Sequence, residues 1–298
     1  MKQRISIITP SFNQGKFIRR TIESVLSQEV EGLEYWVIDG GSTDETVSIL
    51  KEYGDKFFWV SEKDLGHSDA INKGIQNSAA PVIGWLNSDD VYYPGALKTV
   101  LSLFESHPEA DMIYGNAYHI DAEDKILEEY PTEDWDMERM KETCFISQPA
   151  AFIRRSVVER YGLLDVNLRY CMDYEYWLRL GKRGAKFMHV PYLLAGSRLH
   201  PEASTLARRV QCHQSVNDFT RSHFGKTPDP WIFNYAHALA EARGFKRADK
   251  IPFALAVSLF SYYASFRWNY RITGNILRTT TGWLKGNLML SLKGLPHP

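Results

Sequence analysis

The segment LEYWVIDGGSTDE, residues 33–45, indicates the fold more directly than any other part of the sequence. Its first seven residues are mostly apolar, as in a buried β-strand, and they end in the carboxylate of Asp39. Two glycines follow, which allow close approach to the backbone. Ser42 and Glu45 then have the spacing of a capping box, which predicts that a helix begins here. A strand, a polar turn and a helix in succession form the repeating unit of α/β proteins.

The same unit recurs on both sides of this segment. Apolar runs predict further strands at residues 5–9, 57–61, 82–86, 111–116 and 151–153, and amphipathic spacing predicts helices at 16–27, 45–53 and 68–77. Such alternation implies parallel strands joined by right-handed crossovers. A hairpin over 117–130, a helical stretch over 134–142 and strands at 186–190 and 192–199 complete the predicted α/β domain, a mixed sheet flanked by helices. From Ala203 onward the pattern predicts helices only.

Composition places the chain among ordinary globular proteins. Its 298 residues are 44% hydrophobic and 24% charged with a net charge of -1, which excludes the basic character of nucleic-acid-binding proteins. Cys144, Cys171 and Cys212 are far apart and form no C-x-x-C pair, so we expect neither a zinc site nor disulfides. The sequence begins with strand-like residues and contains no apolar run of about 20 residues. We therefore expect a cytoplasmic protein without a spanning helix.

The C-terminal part has a different charge balance. Between Arg243 and Pro298 there are nine Lys and Arg residues against one acid, Asp249, around an apolar and aromatic stretch at 251–266. This combination is typical of helices that lie on an anionic membrane surface. We expect peripheral contact with the cytoplasmic face of the inner membrane. A solvated helical extension or an oligomer contact is the alternative.

Polar residues follow each of the first four predicted strands. In open α/β sheets ligands bind beyond the carboxyl ends of the strands, so these four turns are expected to share one edge. Three of them are acidic: Asp39 follows the second strand, Asp64 the third, and residues 87–90 (NSDD) the fourth. Acidic residues at strand ends are often turn formers or helix caps. Adjacent carboxylates near Asp39, however, repel one another unless a cation binds, and hard divalent cations prefer oxygen ligands.

Three common nucleotide or catalytic motifs are absent from the sequence. There is no G-x-G-x-x-G after the first strand, no G-x-x-x-x-G-K-[ST] and no G-x-S-x-G. A dinucleotide-binding Rossmann domain, a P-loop and a hydrolase nucleophile elbow are therefore disfavoured. The sequence favours phosphate binding through a metal ion.

Three segments, 8–13 (ITPSFN), 37–44 (VIDGGSTD) and 87–90 (NSDD), resemble the successive signatures of glycosyltransferase family 2. The resemblance is to bacterial transferases of the O-antigen, capsule and colanic-acid type. It implies a GT-A fold, nucleotide-diphospho-sugar donors and inverting, metal-dependent transfer. It covers a predicted catalytic domain at residues 1–205, which leaves 206–298 as a basic helical extension.

The resemblance also assigns donor-side residues. Pro10, Ser11 and Asn13 would border the nucleoside, Asp39 would hydrogen-bond the base or ribose, and Asp69 would contact the nucleotide from its helix. Further donor contacts would come from the motif after the fourth strand, namely Asn87, Ser88 and Asp90.

Mn²⁺ or Mg²⁺ would be bound by Asp89 and by the late histidine, His200. The family usually has Asp at the position of Asn87, which puts the metal affinity in question.

On the acceptor side, the resemblance makes Asp173 the catalytic base, with Glu175 as the fallback. By position alone, Asp173 is a carboxylate in the first turn of a helix, where the helix dipole stabilises it. Glu175 is expected to face solvent or to pair with Arg179. Gln148 resembles part of the acceptor-side loop, although a structural turn is the alternative.

The sequence therefore predicts an inverting glycosyltransferase, with a nucleotide-sugar donor (UDP-sugar first) and a glycan or lipid-linked acceptor. The expected setting is bacterial surface polysaccharide biosynthesis, an inference by analogy. Two alternatives stay open. A sugar nucleotidyltransferase should carry a Gly-rich, basic loop after the first strand, unlike residues 10–15. A non-catalytic nucleotide-sugar-binding protein of the same fold should have lost its carboxylates.

Overall fold

The computed structural model describes residues 4–202 and 204–293, without the side chains of 204–205 and 287–293. The chain divides into two compact units. One, the first unit, comprises Met1–Met140 and Cys144–Ala203, and the other, the helical unit, comprises Lys141–Thr143 and Ser204–Pro298.

The domain limits predicted from the sequence, 1–205 and 206–298, include residues outside the described ones, namely 1–3, 203 and 294–298. The side chain of Lys293, counted in the basic C-terminal part, also lies outside them.

Nine strands among the described residues form one mixed sheet in the first unit. They are β1 (Ile5–Ser11), β2 (Leu33–Asp39), β3 (Phe58–Ser61), β4 (Val82–Trp85), β5 (Val91–Tyr92), β6 (Met112–Ile120), β7 (Ile126–Glu129), β8 (Ala151–Arg154) and β9 (Phe187–Arg198). The order is β3-β2-β1-β4-β8-β6-β9-β5, and β7 pairs with β6. The strands β3, β2, β1 and β4 are parallel to one another, whereas β8 is antiparallel to both of its neighbours. The predicted mixed α/β sheet is confirmed.

Helices flank this sheet and make up the helical unit. Up to residue 200 they are α1 (Gly15–Leu26), α2 (Thr46–Glu52), α3 (His67–Asn77), α4 (Ala96–Ser106), α5 (Met137–Glu142), α6 (Arg155–Tyr161) and α7 (Met172–Lys182), with a 3-10 turn at Gln148–Ala150. Later in the chain come α8 (Ser204–Ala207), α9 (Arg209–Phe224), α10 (Asp229–Ala242), α11 (Lys250–Asn269) and α12 (Gly274–Lys293). Among the described residues, no helix is both long and apolar enough to cross a bilayer.

The strands β1 and β4 are buried on both faces, which is why they are apolar runs rather than alternating ones. Ile5 and Ile7 of β1 belong to a core cluster with residues of α1, α2 and α4. On the opposite face α3 lies so close to β1 that a Cβ on Gly74 would be 2.4 Å from Ile8 Cγ2. Each fully buried Ile stabilises the fold by about 1.5–3 kcal/mol relative to an exposed one. This packing fixes the strand ends from which the site is built.

Two predictions of local structure were wrong. The capping box does not form, because the Ser42 hydroxyl donates to Asp39 and α2 begins only at Thr46, whose N–H donates to Asp44 Oδ1 over 3.0 Å. The two strands expected at 186–190 and 192–199 are one strand, β9, whose pairing with β6 shifts register near Gly115 and Asn116. Bulges of this kind interrupt the apolar pattern without ending the strand.

The large aromatic residues Trp85, Trp177 and Tyr114 are buried and belong to the core. Trp85 and Trp177 stack with ring centroids 5.2 Å apart, which joins the end of β4 to α7.

Candidate active site

Asp39, at the end of β2, is buried, and its carboxylate holds the turn that follows. It accepts hydrogen bonds from the Ser42 hydroxyl, from the backbone N–H groups of Gly41 (3.2 Å) and Ser42 (2.9 Å), and from the Ser61 hydroxyl (2.6 Å). Three of these donors bind Oδ2, and the Ser42 hydroxyl alone binds Oδ1, so one of the two acceptor positions of Oδ1 is left. A nucleoside contact at Asp39 would fall on Oδ1.

The turn after β1 is braced against the turn after β2. Asn13 has a left-handed backbone (φ 52°), and its N–H donates to Ser42 Oγ over 2.7 Å, while its own Oδ1 accepts from the Thr43 N–H over 2.8 Å. Pro10 and Ser11 end β1 beside this turn, and Ser11 Oγ is a buried atom without a hydrogen-bond partner among the described residues. The predicted nucleoside-side residues thus adjoin one another, and Ser11 has a hydroxyl available to a ligand.

A third acidic turn, between β3 and α3, reaches the same place. Asp64 lies over Gly40, since a Cβ added to Gly40 would be 2.9 Å from Asp64 Oδ2. Burial raises the pKa of Asp64, and the carboxylates of Asp69 and Asp39 add to this effect. Asp69 itself accepts from the Leu65 N–H over 3.0 Å, which shapes the turn. Asp64 was not among the predicted site residues, although its position directly after a parallel strand was the signal.

The motif after β4 divides its carboxylates between two roles. Asp89 Oδ2 lies 3.0 Å from His200 Nε2, so the two predicted metal ligands are in contact. Asp90 is buried below them, and its oxygens accept from the Arg198 N–H (2.8 Å) and from Asn87 Nδ2 (3.1 Å). Burial, and then the neighbouring Asp89, raises the pKa of Asp90. Asp90 thus ties this turn to β9. Ser88 is buried in the same turn.

Asp89 and His200 suit a divalent ion as two of its ligands. In octahedral coordination with bonds of about 2.1 Å, adjacent ligands are about 3 Å apart, which matches the observed contact. His200 Nδ1 is buried without a hydrogen-bond partner among the described residues, and Glu202 Oε2 lies 3.9 Å from it. No group of three or more His, Cys, Asp or Glu side chains in the described part of the chain is arranged to hold a metal. Donor phosphates and water would have to supply the other ligands.

Asp173 lies in the first turn of α7, two residues after Cys171, whose backbone is left-handed (φ 54°). Non-glycine residues in this conformation often mark functional sites. Burial raises the pKa of Asp173, while the Tyr174 N–H and His67 act to lower it. Asp173 in turn contributes to the raised pKa values of Tyr130 and Cys144, after burial, which is the larger cause for both. The candidate base therefore lies in a partly dry pocket.

His67, the first residue of α3, links the donor side to the candidate base and was missed in the sequence. Its ring is solvent-exposed, yet protein atoms surround it closely enough that burial lowers its pKa. The carboxylates of Asp89 and Asp173 act in the opposite direction, which places both of them near the ring. The only signal in the sequence was its position, two residues before Asp69.

Gln148 and Glu175, which the sequence placed on the acceptor side, make different kinds of contact. Gln148 Nε2 donates to the Trp85 carbonyl over 2.7 Å, while its Oε1 is buried without a hydrogen-bond partner among the described residues. Glu175 is buried and pairs with Arg179 over 3.0 Å, so the expectation that it faces solvent was wrong and the pairing is confirmed.

Arg198, the last residue of β9, makes its contacts inside the fold. Its side chain is fully buried, and it donates to the backbone carbonyls of Asp89 (2.6 Å) and Asp121 (2.5 Å) and to the Asp124 carboxylate. Arg20 binds the other oxygen of Asp124 over 2.9 Å. We call Arg198, Asp124 and Arg20 the arginine clamp. It holds the backbone of Asp89, the predicted metal ligand.

Replacing Asp124 with Asn should lower the free energy of unfolding by about 1–3 kcal/mol, because a buried guanidinium loses its ionic acceptor. Urea denaturation at neutral pH measures the loss. The control Glu52→Gln removes an exposed partner of Arg19 and should cost at most about 1 kcal/mol. Equal losses in the two variants would mean that the arginine clamp stabilises the fold no more than an exposed ion pair does.

The pH dependence of stability, compared between wild type and Asp124→Asn, tests the same interaction. Burial acts to raise the pKa of Asp124, but the hydrogen bonds from Arg198 and Arg20 outweigh it and lower the pKa. A lowered pKa stabilises the fold above the ordinary Asp value of about 4 and loses this effect as the pH falls through the lowered value. The stability difference between wild type and Asp124→Asn should therefore shrink on acidification.

Comparison with known proteins places this site in a family context. The family model described as Glycosyl transferase family 2 matches residues 6–162. An uncharacterized glycosyltransferase of Rickettsia prowazekii (strain Madrid E) is 29% identical over 219 residues, which cover 69% of this chain and 68% of the relative. A chondroitin synthase of Escherichia coli is 27% identical over 208 residues, 68% of this chain and 30% of the relative.

Two solved structures resemble the whole chain. S. aureus TarS in complex with UDP-GlcNAc has a TM-score of 0.62 at 13% identity, covering 99% of this chain and 93% of that one. The mannosyltransferase PcManGT from Pyrobaculum calidifontis, in complex with GDP-Man and Mn²⁺, has a TM-score of 0.59 at 16% identity, covering 98% and 88%. At these identities the likeness concerns the fold, and it confirms the predicted GT-A class.

Proposed function

The chain belongs to glycosyl transferase family 2, and we propose that it transfers a sugar from a nucleotide-diphosphate sugar to an acceptor hydroxyl with inversion at the anomeric carbon. The observation that carries this proposal is the meeting of acidic turns at one sheet edge. Asp39, Asp64 and Asp89 follow three parallel strands, and His67 brings this edge to Asp173. We favour a UDP-sugar donor, since S. aureus TarS was solved with UDP-GlcNAc.

In the proposed reaction Asp173 accepts the proton of the acceptor hydroxyl as its oxygen attacks the anomeric carbon. The bond from that carbon to the diphosphate oxygen breaks, and the nucleoside diphosphate leaves on the opposite side. A single displacement of this kind inverts the configuration and needs one base, the role we assign to Asp173. The partly dry pocket strengthens the electrostatic interactions of the reacting groups.

Asp89 and His200 are the residues we assign to Mn²⁺ or Mg²⁺, an assignment supported by their contact and by the Mn²⁺ in the PcManGT complex. The chemistry that such an ion supplies is neutralisation of charge on the departing diphosphate. The arginine clamp fixes the backbone of Asp89, and Phe17 packs against the His200 ring with centroids 4.8 Å apart. These contacts orient Asp89 and His200.

We propose a glycan or lipid-linked acceptor in bacterial surface polysaccharide biosynthesis, at the cytoplasmic face of the membrane. The support is the likeness to a relative named chondroitin synthase, together with the basic C-terminal helices. The chain spans 68% of the Rickettsia prowazekii relative and 30% of the chondroitin synthase. Because the match to the chondroitin synthase is partial, an activity shared with that enzyme is part of the proposal.

A panel of nucleotide sugars should identify the donor. UDP-GlcNAc, UDP-glucose, UDP-galactose and GDP-mannose are each added with and without Mn²⁺, and the melting temperature and slow donor hydrolysis are measured. We expect at least one UDP-sugar to raise the melting temperature and to be hydrolysed only with the metal.

Two results would contradict this assignment. Stabilisation without hydrolysis by any donor would favour a binding protein. Release of pyrophosphate from a nucleoside triphosphate and a sugar 1-phosphate would favour a nucleotidyltransferase.

A further inference from the structure

The helix α11 is apolar on two opposite faces. One face is buried within the helical unit, where Ala264 and Trp268 pack with Ile232 and Tyr235 of α10 and with Ile276 of α12. A helix that packs on one side normally presents a polar face on the other. The exposed side of α11 departs from this rule.

That exposed side carries an apolar stripe, which we define as Leu255, Leu259, Tyr263, Phe266 and Tyr270. The five side chains are 48–70% exposed. Leu255, Leu259, Tyr263 and Phe266 lie within α11, where their spacing of four, four and three residues keeps them within about 80° of the helix circumference. Tyr270 follows directly after the end of the helix at Asn269. Contiguous exposed apolar side chains of this kind mark a surface that binds a partner or a membrane.

Cations surround the apolar stripe. Arg243 lines a shallow cleft together with Leu259 and Tyr263, and Arg267 Nη1 donates to the Tyr263 hydroxyl over 3.3 Å. The Arg221 guanidinium lies 4.8 Å from the centre of the Tyr270 ring. A nearby carboxylate, Asp218, accepts from Trp268 Nε1 over 2.7 Å and so is engaged on the buried side of the helix.

The sequence supports the same charge pattern. From residue 250 to 298 it contains no Asp or Glu but six basic residues, Lys250, Arg267, Arg271, Arg278, Lys285 and Lys293. A second copy of this chain, docked through the same face, would bring these cations together without acids from this segment to balance them. An anionic lipid surface complements both the charge and the apolar stripe.

We propose that the apolar stripe docks on an anionic bilayer surface, with Leu259 and Phe266 entering the headgroup region and the surrounding arginines binding lipid phosphates. This deepens, and rests on, the peripheral membrane contact included in the proposed function. Tyr263 and Tyr270 suit the interface because their rings are apolar and their hydroxyls are polar. The helix lies on the surface in this arrangement.

The test uses the full chain and sedimentation with two kinds of vesicle, phosphatidylcholine alone and phosphatidylcholine mixed equally with phosphatidylglycerol. We expect binding to the mixed vesicles, weakened by salt, and little binding to phosphatidylcholine. Leu259→Glu with Phe266→Glu should lower the partition coefficient about tenfold or more, because acids replace apolar contacts. The control Leu127→Glu changes a leucine of β7 that is 52% exposed and should leave binding unaltered.

A second variant tests the charge separately. Arg267→Gln with Arg271→Gln should weaken binding to the mixed vesicles by about fivefold for each arginine removed. Circular dichroism verifies folding of each variant, and donor hydrolysis is measured on the same samples. Wild type that fails to sediment with the mixed vesicles, or a Leu259→Glu/Phe266→Glu variant that binds as wild type does, would overturn the proposal. Donor hydrolysis with no vesicle binding rejects only the lipid surface, whereas vesicle binding with no donor use rejects only the proposed chemistry.

Discussion

Replacing Asp173 with Asn is expected to lower kcat by about 10²–10⁴-fold while donor affinity stays within about twofold of wild type. The amide occupies the same place at the start of α7 but cannot accept the acceptor's proton. Steady-state transfer and donor titration by calorimetry separate the two effects. Asp55→Asn, the same substitution at an exposed position, is the control and should behave as wild type.

Stability gives this variant an internal check. Because burial raises the pKa of Asp173, its charged form is disfavoured in the folded protein. A raised carboxyl pKa stabilises the fold in the protonated form, and this contribution is lost as the pH rises through the raised value. Asn is neutral at every pH, so the variant should melt no lower than wild type at neutral pH. A large drop in melting temperature would attribute the lost activity to misfolding.

The pH profile of the wild-type enzyme follows from the same shift. A base acts only when deprotonated, so kcat should fall on the acidic side with an apparent pKa above that of an ordinary aspartate. The residual activity of Asp173→Asn should lack this acidic limb. Persistence of the limb in the variant would move the base to another residue, with Glu175 an unsuitable substitute because it is buried and paired with Arg179.

Replacing Asp89 with Asn is the second large effect. We expect kcat to fall about 10³-fold, equivalent to about 4 kcal/mol, and the Mn²⁺ concentration for half activity to rise at least about tenfold. The amide retains the size of the side chain and a partner for His200 Nε2 but loses the negative charge that a divalent ion requires. Activity is measured across a Mn²⁺ titration after treatment with a chelator.

Asp64→Asn is the matched control for Asp89→Asn, since it removes one negative charge from the same site. Asp64 lies over Gly40 rather than against His200, so its loss should leave the Mn²⁺ requirement unchanged. A similar rise in the Mn²⁺ concentration for half activity in both variants would indicate a general charge effect instead of ligation by Asp89. An unaltered metal requirement in Asp89→Asn would remove it as a ligand.

Local patterns predicted much of the fold. The boundaries of Leu33–Asp39 agree fully with β2, because a strand buried on both faces is an unbroken apolar run between turns. The strands β1, β3, β4, β6 and β8 were found with errors confined to a few residues at their ends. The convergence of the acidic turns on one edge followed from parallel pairing alone.

The contacts that decide individual roles could not be found in this way, because they join residues far apart in sequence. Asp90 appears as a donor-side residue in its motif, but its carboxylate binds the N–H of Arg198, 108 positions away. His67 gains its place only when α3 packs on β1. The capping box fails for a local reason instead, since Asp39, three residues before Ser42, accepts the hydroxyl that would have capped α2.

The residues proposed for the donor and those proposed for the acceptor lie in different parts of the sequence. The strands β1 to β4, with the turns assigned to the nucleotide sugar, are complete by residue 90, whereas the proposed base and Gln148 come later. In the proposed reaction, apart from His200, the two substrates would thus contact different stretches of polypeptide. Descendants of one ancestral gene could diversify the molecule they decorate through the later stretch while inheriting the earlier one, and with it the activated sugar, unchanged.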